Sequence, residues 1–127
     1  MTLFAPAQAR WFQLLLLLAV AVTSWQTLTP SPVPLPGVGS DKLAHTGAFL
    51  ALAFLVDAAW PTRAIGWRAL ALLAAYGAGI EIAQGYVPNR FTSAMDLIAN
   101  LTGLILYAGL LGPWLRKRFT VPSSPAT

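Results

Sequence analysis

Cysteine is absent from these 127 residues, and there are only one histidine and four acidic side chains. Without cysteine there is no disulfide, thiol nucleophile or thiolate metal site. A single histidine rules out centres built on two or three imidazoles, and no H-E-x-x-H helix occurs. No G-x-S-x-G turn, phosphate-cradling glycine loop or nucleic-acid module is visible either. Charge of both signs is scarce: 9% of residues are charged, against about a quarter in soluble domains. What fills the chain instead is apolar. Hydrophobic residues make up 57% and the mean hydropathy is +0.65. A soluble domain this small could not hide so much apolar surface, so lipid is the expected solvent.

Four apolar stretches approach the roughly 20 residues that cross a hydrocarbon core. They run over about 11–28, 43–60, 67–85 and 94–115. The joints carry helix breakers: Pro30, Pro32, Pro34 and Pro36 with Gly37 and Gly39, then Pro61-Thr62, then Val87-Pro88-Asn89. Ala19-Val20-Ala21 loosely matches a signal-peptidase site, but the apolar run continues to Trp25 and Leu28, so a retained first span is expected. The expected fold is an all-α, integral membrane four-helix bundle. It has three parts: a cytoplasmic N-terminus at 1–10, a transmembrane domain at 11–115, and a basic, disordered cytoplasmic tail at 116–127.

Basic residues set the expected orientation. With the N-terminus inside, Arg10, Arg63, Arg68, Arg116, Lys117 and Arg118 are cytoplasmic, and only Lys42 and Arg90 lie outside. Trp11, Trp60, Trp67 and Trp114 then mark the inner boundary, and Trp25, Tyr86 and Phe91 the outer one. Both termini are therefore expected in the cytoplasm.

The remaining ionisable residues gather toward the outer end. Asp41 and His45 lie one turn apart on one helical face, Glu81 and Gln84 share another, and Asp96, Asn100 and Gly103 a third. Antiparallel neighbours bring these to similar depth, with Lys42 and Arg90 beside them. Intramembrane ionisable groups are costly and are functional candidates by default. Three carboxylates face two fixed cations, and a proton on His45 would balance them. The expected pairings are Arg90 with Asp96 or Glu81, and His45 hydrogen-bonded to one of the same carboxylates. Glu81 is the strongest candidate, because it lies near a helix C-terminus where the dipole disfavours it.

Structural readings compete at each position. Ser40 is a natural N-cap with Asp41 complementing the dipole, and Ser93-x-x-Asp96 spells a capping box. Asn100 could serve as interhelical glue, and Gly47, Gly77, Gly79 and Gly103 as close-packing residues. Asp57, near the inner boundary, is expected to form a structural ion pair near Arg63 and Arg68. A metal held by Asp41, His45, Glu81 and Asp96 is chemically conceivable. With one histidine and no helical metal motif, the sequence supplies no positive sign of a metal or cofactor.

The order Asp41-Lys42-x-x-His45, Glu81-x-x-Gln84, Pro88-x-Arg90 and Asp96-x-x-x-Asn100-x-x-Gly103 resembles the VanZ-like family of small membrane proteins, named for a protein associated with teicoplanin resistance. Family members often carry a tyrosine shortly after the histidine, where this chain has Phe49. The resemblance implies a role in the bacterial cell envelope, near lipids or cell-wall precursors, in the cytoplasmic (inner) membrane. The leading expectation is an outer-face site for an anionic envelope lipid or lipid-linked precursor, with Asp41, Lys42, Gln84, Arg90 and Asn100 binding it. The first alternative is a membrane-surface enzyme using Glu81 or Asp96 with His45 as acid and base. The second is an accessory subunit whose polar cluster locks packing. Membrane lipids are the expected partners and nucleic acid is not; a protein partner or second copy is left open.

Overall fold

The structure is a computed structural model that describes residues 4–30 and 40–119, with Ser40 described in its backbone alone. The proline-rich joint from Ser31 to Gly39, the Ser40 side-chain cap and the tail from Thr120 to Thr127 lie outside the described residues. A short 3-10 turn, Pro6–Gln8, leads into α1 (Ala9–Leu28). Then come α2 (Ser40–Ala59), α3 (Trp67–Gln84) and α4 (Ala94–Leu106). A π-helical segment (Tyr107–Leu111) joins α4 to α5 (Gly112–Phe119), and the three form one continuous rod over Ala94–Phe119. The described residues contain no strand.

Pro61 stops α2 just past Ala59, and Gly85 follows the last residue of α3. The next turn has the signature of a type II turn: Pro88 sits second, Asn89 third at φ 64°, and Arg90 N–H returns to the Val87 carbonyl at 3.2 Å. Asparagine tolerates that left-handed backbone better than most residues. The π segment also has a local cause. Pro113 has no N–H to offer Gly109 and crowds that carbonyl, so the helix widens just before it rather than breaking.

The core between the helices holds Phe49, Leu52, Ala53, Leu73, Leu104 and Tyr107. Outward lie Leu14, Leu17, Leu18, Leu72, Ile98, Ile105 and Leu110, all exposed. An apolar exterior of this kind suits hydrocarbon surroundings. Three helices are long and apolar enough to cross a membrane by length and composition: Pro6–Leu28, Asp41–Ala59 and Ala94–Phe119. The sequence reading counted α3 as a fourth; among these spans it does not appear, because Arg68, Glu81 and Gln84 dilute its 18 residues.

Contacts at both ends show an up-down-up-down arrangement. At one end Gln84 and Arg90 reach the Thr27 carbonyl, and Lys42 and His45 face Asp96. At the other, the Gln13 amide donates to the Ala59 carbonyl at 3.1 Å and Asp57 meets Arg116. Small residues set the spacing between α2 and α4: a Cβ on Gly103 would lie 2.3 Å from the Thr46 carbonyl oxygen. Gly77 is tight too: an added Cβ would lie 3.0 Å from the Phe49 ring and 3.2 Å from Asn100 Nδ2. Gly47 and Gly79, read from sequence as packing residues too, would place a Cβ in open space. Beyond each glycine's own stretch of helix, no described residue comes within 4 Å of the added carbon.

Candidate functional site

His45 is buried, at 8% exposure, one turn into α2. Its Nδ1 donates to Asn100 Oδ1 across the α2–α4 contact at 2.9 Å. An amide oxygen only accepts, so Nδ1 carries a proton and Nε2 faces away from Asn100. There it meets two carboxylates, Asp41 Oδ1 and Asp96 Oδ2, each at 3.7 Å. The expected hydrogen bond from His45 to a carboxylate is therefore not the one formed. The amide one turn deeper on α4 takes it, because Lys42 already occupies Asp96. Lys42 Nζ pairs with Asp96 Oδ1 and also reaches Asp41 Oδ2 at 3.2 Å. Its side chain is 43% exposed, so the ammonium stands at the mouth of the cluster.

Arg90 does something other than expected. Its guanidinium donates to the Thr27 carbonyl at 3.0 Å and the Gln26 carbonyl at 3.2 Å; Gln84 Nε2 joins it on Thr27 at 2.8 Å. The last carbonyls of a helix have no partner within it and form the negative end of its dipole. Arg90 thus caps α1, and no ion pair with Asp96 or Glu81 is present among the described residues.

Glu81 also has a local role that its own helix conceals. It is 3% exposed, and Oε2 accepts from the Ser93 backbone N–H at 3.1 Å. Ser93 is the N-cap of α4, its hydroxyl accepting from Asp96 N–H at 3.3 Å. In a capping box the residue at the third helical position would return to the cap N–H. Here Asp96 holds that position but turns to Lys42, and Glu81 supplies the missing acceptor from α3. Near the C-terminus of its own helix, Glu81 sits at the positive end of the next. Thr92 strengthens the joint by donating to the Glu81 carbonyl at 3.0 Å.

Three buried polar atoms around this joint have no hydrogen-bond partner among the described residues: Glu81 Oε1, Gln84 Oε1 and Asn100 Nδ2. Leaving such a group unmet costs about 1–3 kcal/mol, so a further polar partner is expected beside them. Of the eight residues singled out from sequence, the structure brings Asp41, Lys42, His45, Asp96 and Asn100 into one connected cluster. Glu81 adjoins it through Ser93, while Gln84 and Arg90 turn to α1. Ser93 and Thr92 were not foreseen as partners of Glu81, though the capping pattern had pointed to Ser93.

Asp57 belongs to a separate cluster at the opposite end. It is 2% exposed; Oδ2 accepts from the Tyr107 hydroxyl at 2.6 Å and Oδ1 from Ile65 N–H at 3.0 Å. Its ion pair is with Arg116, not with Arg63 or Arg68. Arg116 also donates to the Arg63 carbonyl at 3.0 Å. The loop places that carbonyl inward, and α5 descends directly onto Asp57. Only the π-helical rod brings Arg116 there, some sixty residues along the chain.

A family model described as VanZ/LLP1 matches residues 3–115, nearly the whole chain. No curated protein and no solved structure matches.

Proposed function

The chain belongs to the VanZ/LLP1 family of membrane proteins, and we propose that it binds the headgroup of an anionic envelope lipid or lipid-linked cell-wall precursor. The site is the polar end of the bundle, and such binding is the activity through which a link to glycopeptide (teicoplanin) resistance would act. The observation that carries this reading is the Lys42 ammonium, half in solvent, above a buried cluster whose amide and carboxylate atoms are not all satisfied. A phosphate recruits the flexible ammonium as a point charge, while headgroup hydroxyls and amides meet the open acceptors below. Arg90, occupied on α1, acts in this reading as a positioning residue.

Replacing Lys42 by Met is expected to weaken binding of anionic lipid by on the order of tenfold, the worth of one hydrogen bond to a charged group. Binding of the purified chain to nanodiscs with and without anionic lipid measures it. Undiminished binding by K42M would overturn the assignment. A second reading, a membrane-surface enzyme, is favoured by the fixed His45 tautomer, since an imidazole held at one nitrogen presents the other for proton transfer. Glu81→Gln separates the two: glutamine keeps an oxygen for Ser93 N–H, so a binder retains affinity, whereas an enzyme relying on that carboxylate loses turnover.

Orientation is part of the proposal. Six basic residues against two favour cytoplasmic termini, with the Lys42 cluster then on the outer face of the inner membrane. A reporter active only in the cytoplasm should work when fused after Arg118 and fail when inserted near Pro34. The reverse pattern would put the site on the wrong side for an external precursor.

A further inference from the structure

Asp41, His45 and Asp96 each offer one ligand atom, and the three atoms lie within 4.8 Å of one another. We propose that they form a divalent metal site, suited to zinc, in which Lys42 is the built-in counter-cation that the metal displaces. The geometry is that of a chelate. An ion with bonds of roughly 2.0–2.2 Å to nitrogen and oxygen holds neighbouring donors somewhat over 3 Å apart. His45 Nε2 stands 3.7 Å from Asp41 Oδ1 and 3.7 Å from Asp96 Oδ2. Closing those two gaps takes a few tenths of an ångström, and the Asp41–Asp96 pair, within 4.8 Å, draws in further as the ammonium leaves.

The imidazole is the independent sign. It is more than nine-tenths buried, yet Nε2 makes no hydrogen bond to any described residue. Its other nitrogen is tied to Asn100 Oδ1, and that second-shell bond selects the tautomer and ring orientation a metal ligand needs. Asp41 and His45 are one turn apart on α2, and Asp96 comes from α4, so the donors rest on two helices held together at Gly103. Helices keep such donors in place better than loops do.

Charge supports the same conclusion. Arg90 is engaged on α1, which leaves Asp41, Asp96 and nearby Glu81 with Lys42 as the one cation inside the cluster. Three carboxylates against one ammonium leave an excess of negative charge among the described residues, which a divalent ion matches. The ammonium has a flexible stem and partial exposure, so it can swing outward when the ion enters. One nitrogen and two carboxylate oxygens suit zinc or manganese and not a thiophilic ion. The remaining coordination positions are open to water or to an oxygen of a bound headgroup.

This site does not rest on the lipid reading, and metal alone tests it. Full-length chain in lipid-free detergent, stripped with a chelator, is titrated with zinc against a fluorescent indicator. One equivalent per chain is expected. His45→Ala and Asp96→Asn should abolish saturable uptake. Asn100→Ala, which removes no ligand atom but frees His45 Nδ1, should weaken it about 10- to 100-fold. Lys42→Met should bind zinc more tightly than wild type, the opposite of its expected effect on anionic lipid. Circular dichroism and elution volume identify any variant that fails to fold, and K42M, at the mouth, keeps the test decisive if the buried variants do. Uptake that survives in folded His45→Ala, or zinc affinity in K42M no greater than wild type, would overturn the site.

Discussion

Replacing Asp57 by alanine is expected to destabilise the bundle by about 3–5 kcal/mol, the usual cost of removing one member of a buried ion pair. Three donors converge on this carboxylate: the Arg116 guanidinium, the Tyr107 hydroxyl and the Ile65 backbone N–H. Each comes from a different part of the chain, so one side chain ties α2 to the loop before α3, to the π segment and to α5. In the alanine variant the guanidinium stays largely enclosed, with its side chain 18% exposed and nothing to neutralise it. Asp57→Asn, keeping one acceptor oxygen, should fall between alanine and wild type. Pairing Asp57→Ala with Arg116→Met should recover much of the loss, since no buried charge then remains unpaired. Thermal unfolding in detergent measures all four proteins. A wild-type midpoint for Asp57→Ala would show that this cluster does not hold its end of the bundle together.

Gly103→Ala is expected to damage both stability and the His45–Asp96 cluster, whereas Gly47→Ala is expected to do neither. The new Cβ at 103 would stand 2.3 Å from the Thr46 carbonyl oxygen and 2.9 Å from Leu50 N. Both are backbone atoms of α2, and no rotamer change moves them. The helices must part, and overpacking of this sort costs typically 1–3 kcal/mol, more where the neighbour is rigid. Parting them also stretches the His45–Asn100 bond and the Thr46 hydroxyl bond to the Ala99 carbonyl, now 2.9 and 3.1 Å. Zinc uptake and lipid binding should therefore fall together in Gly103→Ala. At Gly47 nothing lies within 4 Å of the added carbon, and helix propensity favours alanine by up to about 1 kcal/mol. Equal unfolding midpoints for the two variants would contradict the close contact of α2 with α4.

The two glycines illustrate what a sequence conveys in a membrane protein. Both lie in apolar helices, and although Gly103 shares a face with Asp96 and Asn100, nothing local says how closely another helix approaches either glycine. Helical spacing specifies the height of a residue along its axis and the face it shares with its neighbours. It does not specify which other helix that face meets. Thus the approximate helices, their breaks at Pro61 and Pro88, and the common depth of Asp41, His45, Glu81, Asp96 and Asn100 were legible. So was the VanZ/LLP1 membership.

The partners were not legible, because each pairing joins residues far apart in the chain and depends on how the helices are rotated. Complementary charge suggested Arg90 on a carboxylate, but the unpaired carbonyls at the end of α1 took it, and Lys42 neutralised Asp96 instead. Glu81 looked misplaced at the end of its own helix; only packing revealed that it caps the start of α4. Asp57 found Arg116 because a continuous rod with one widened turn carried that arginine back to it. Composition and periodicity determined that the chain is a membrane-embedded helical protein with a polar end. Tertiary structure decided the pairings, because an uncapped helix terminus attracts charge as effectively as a side chain does, and its position in space is a property of the packed bundle.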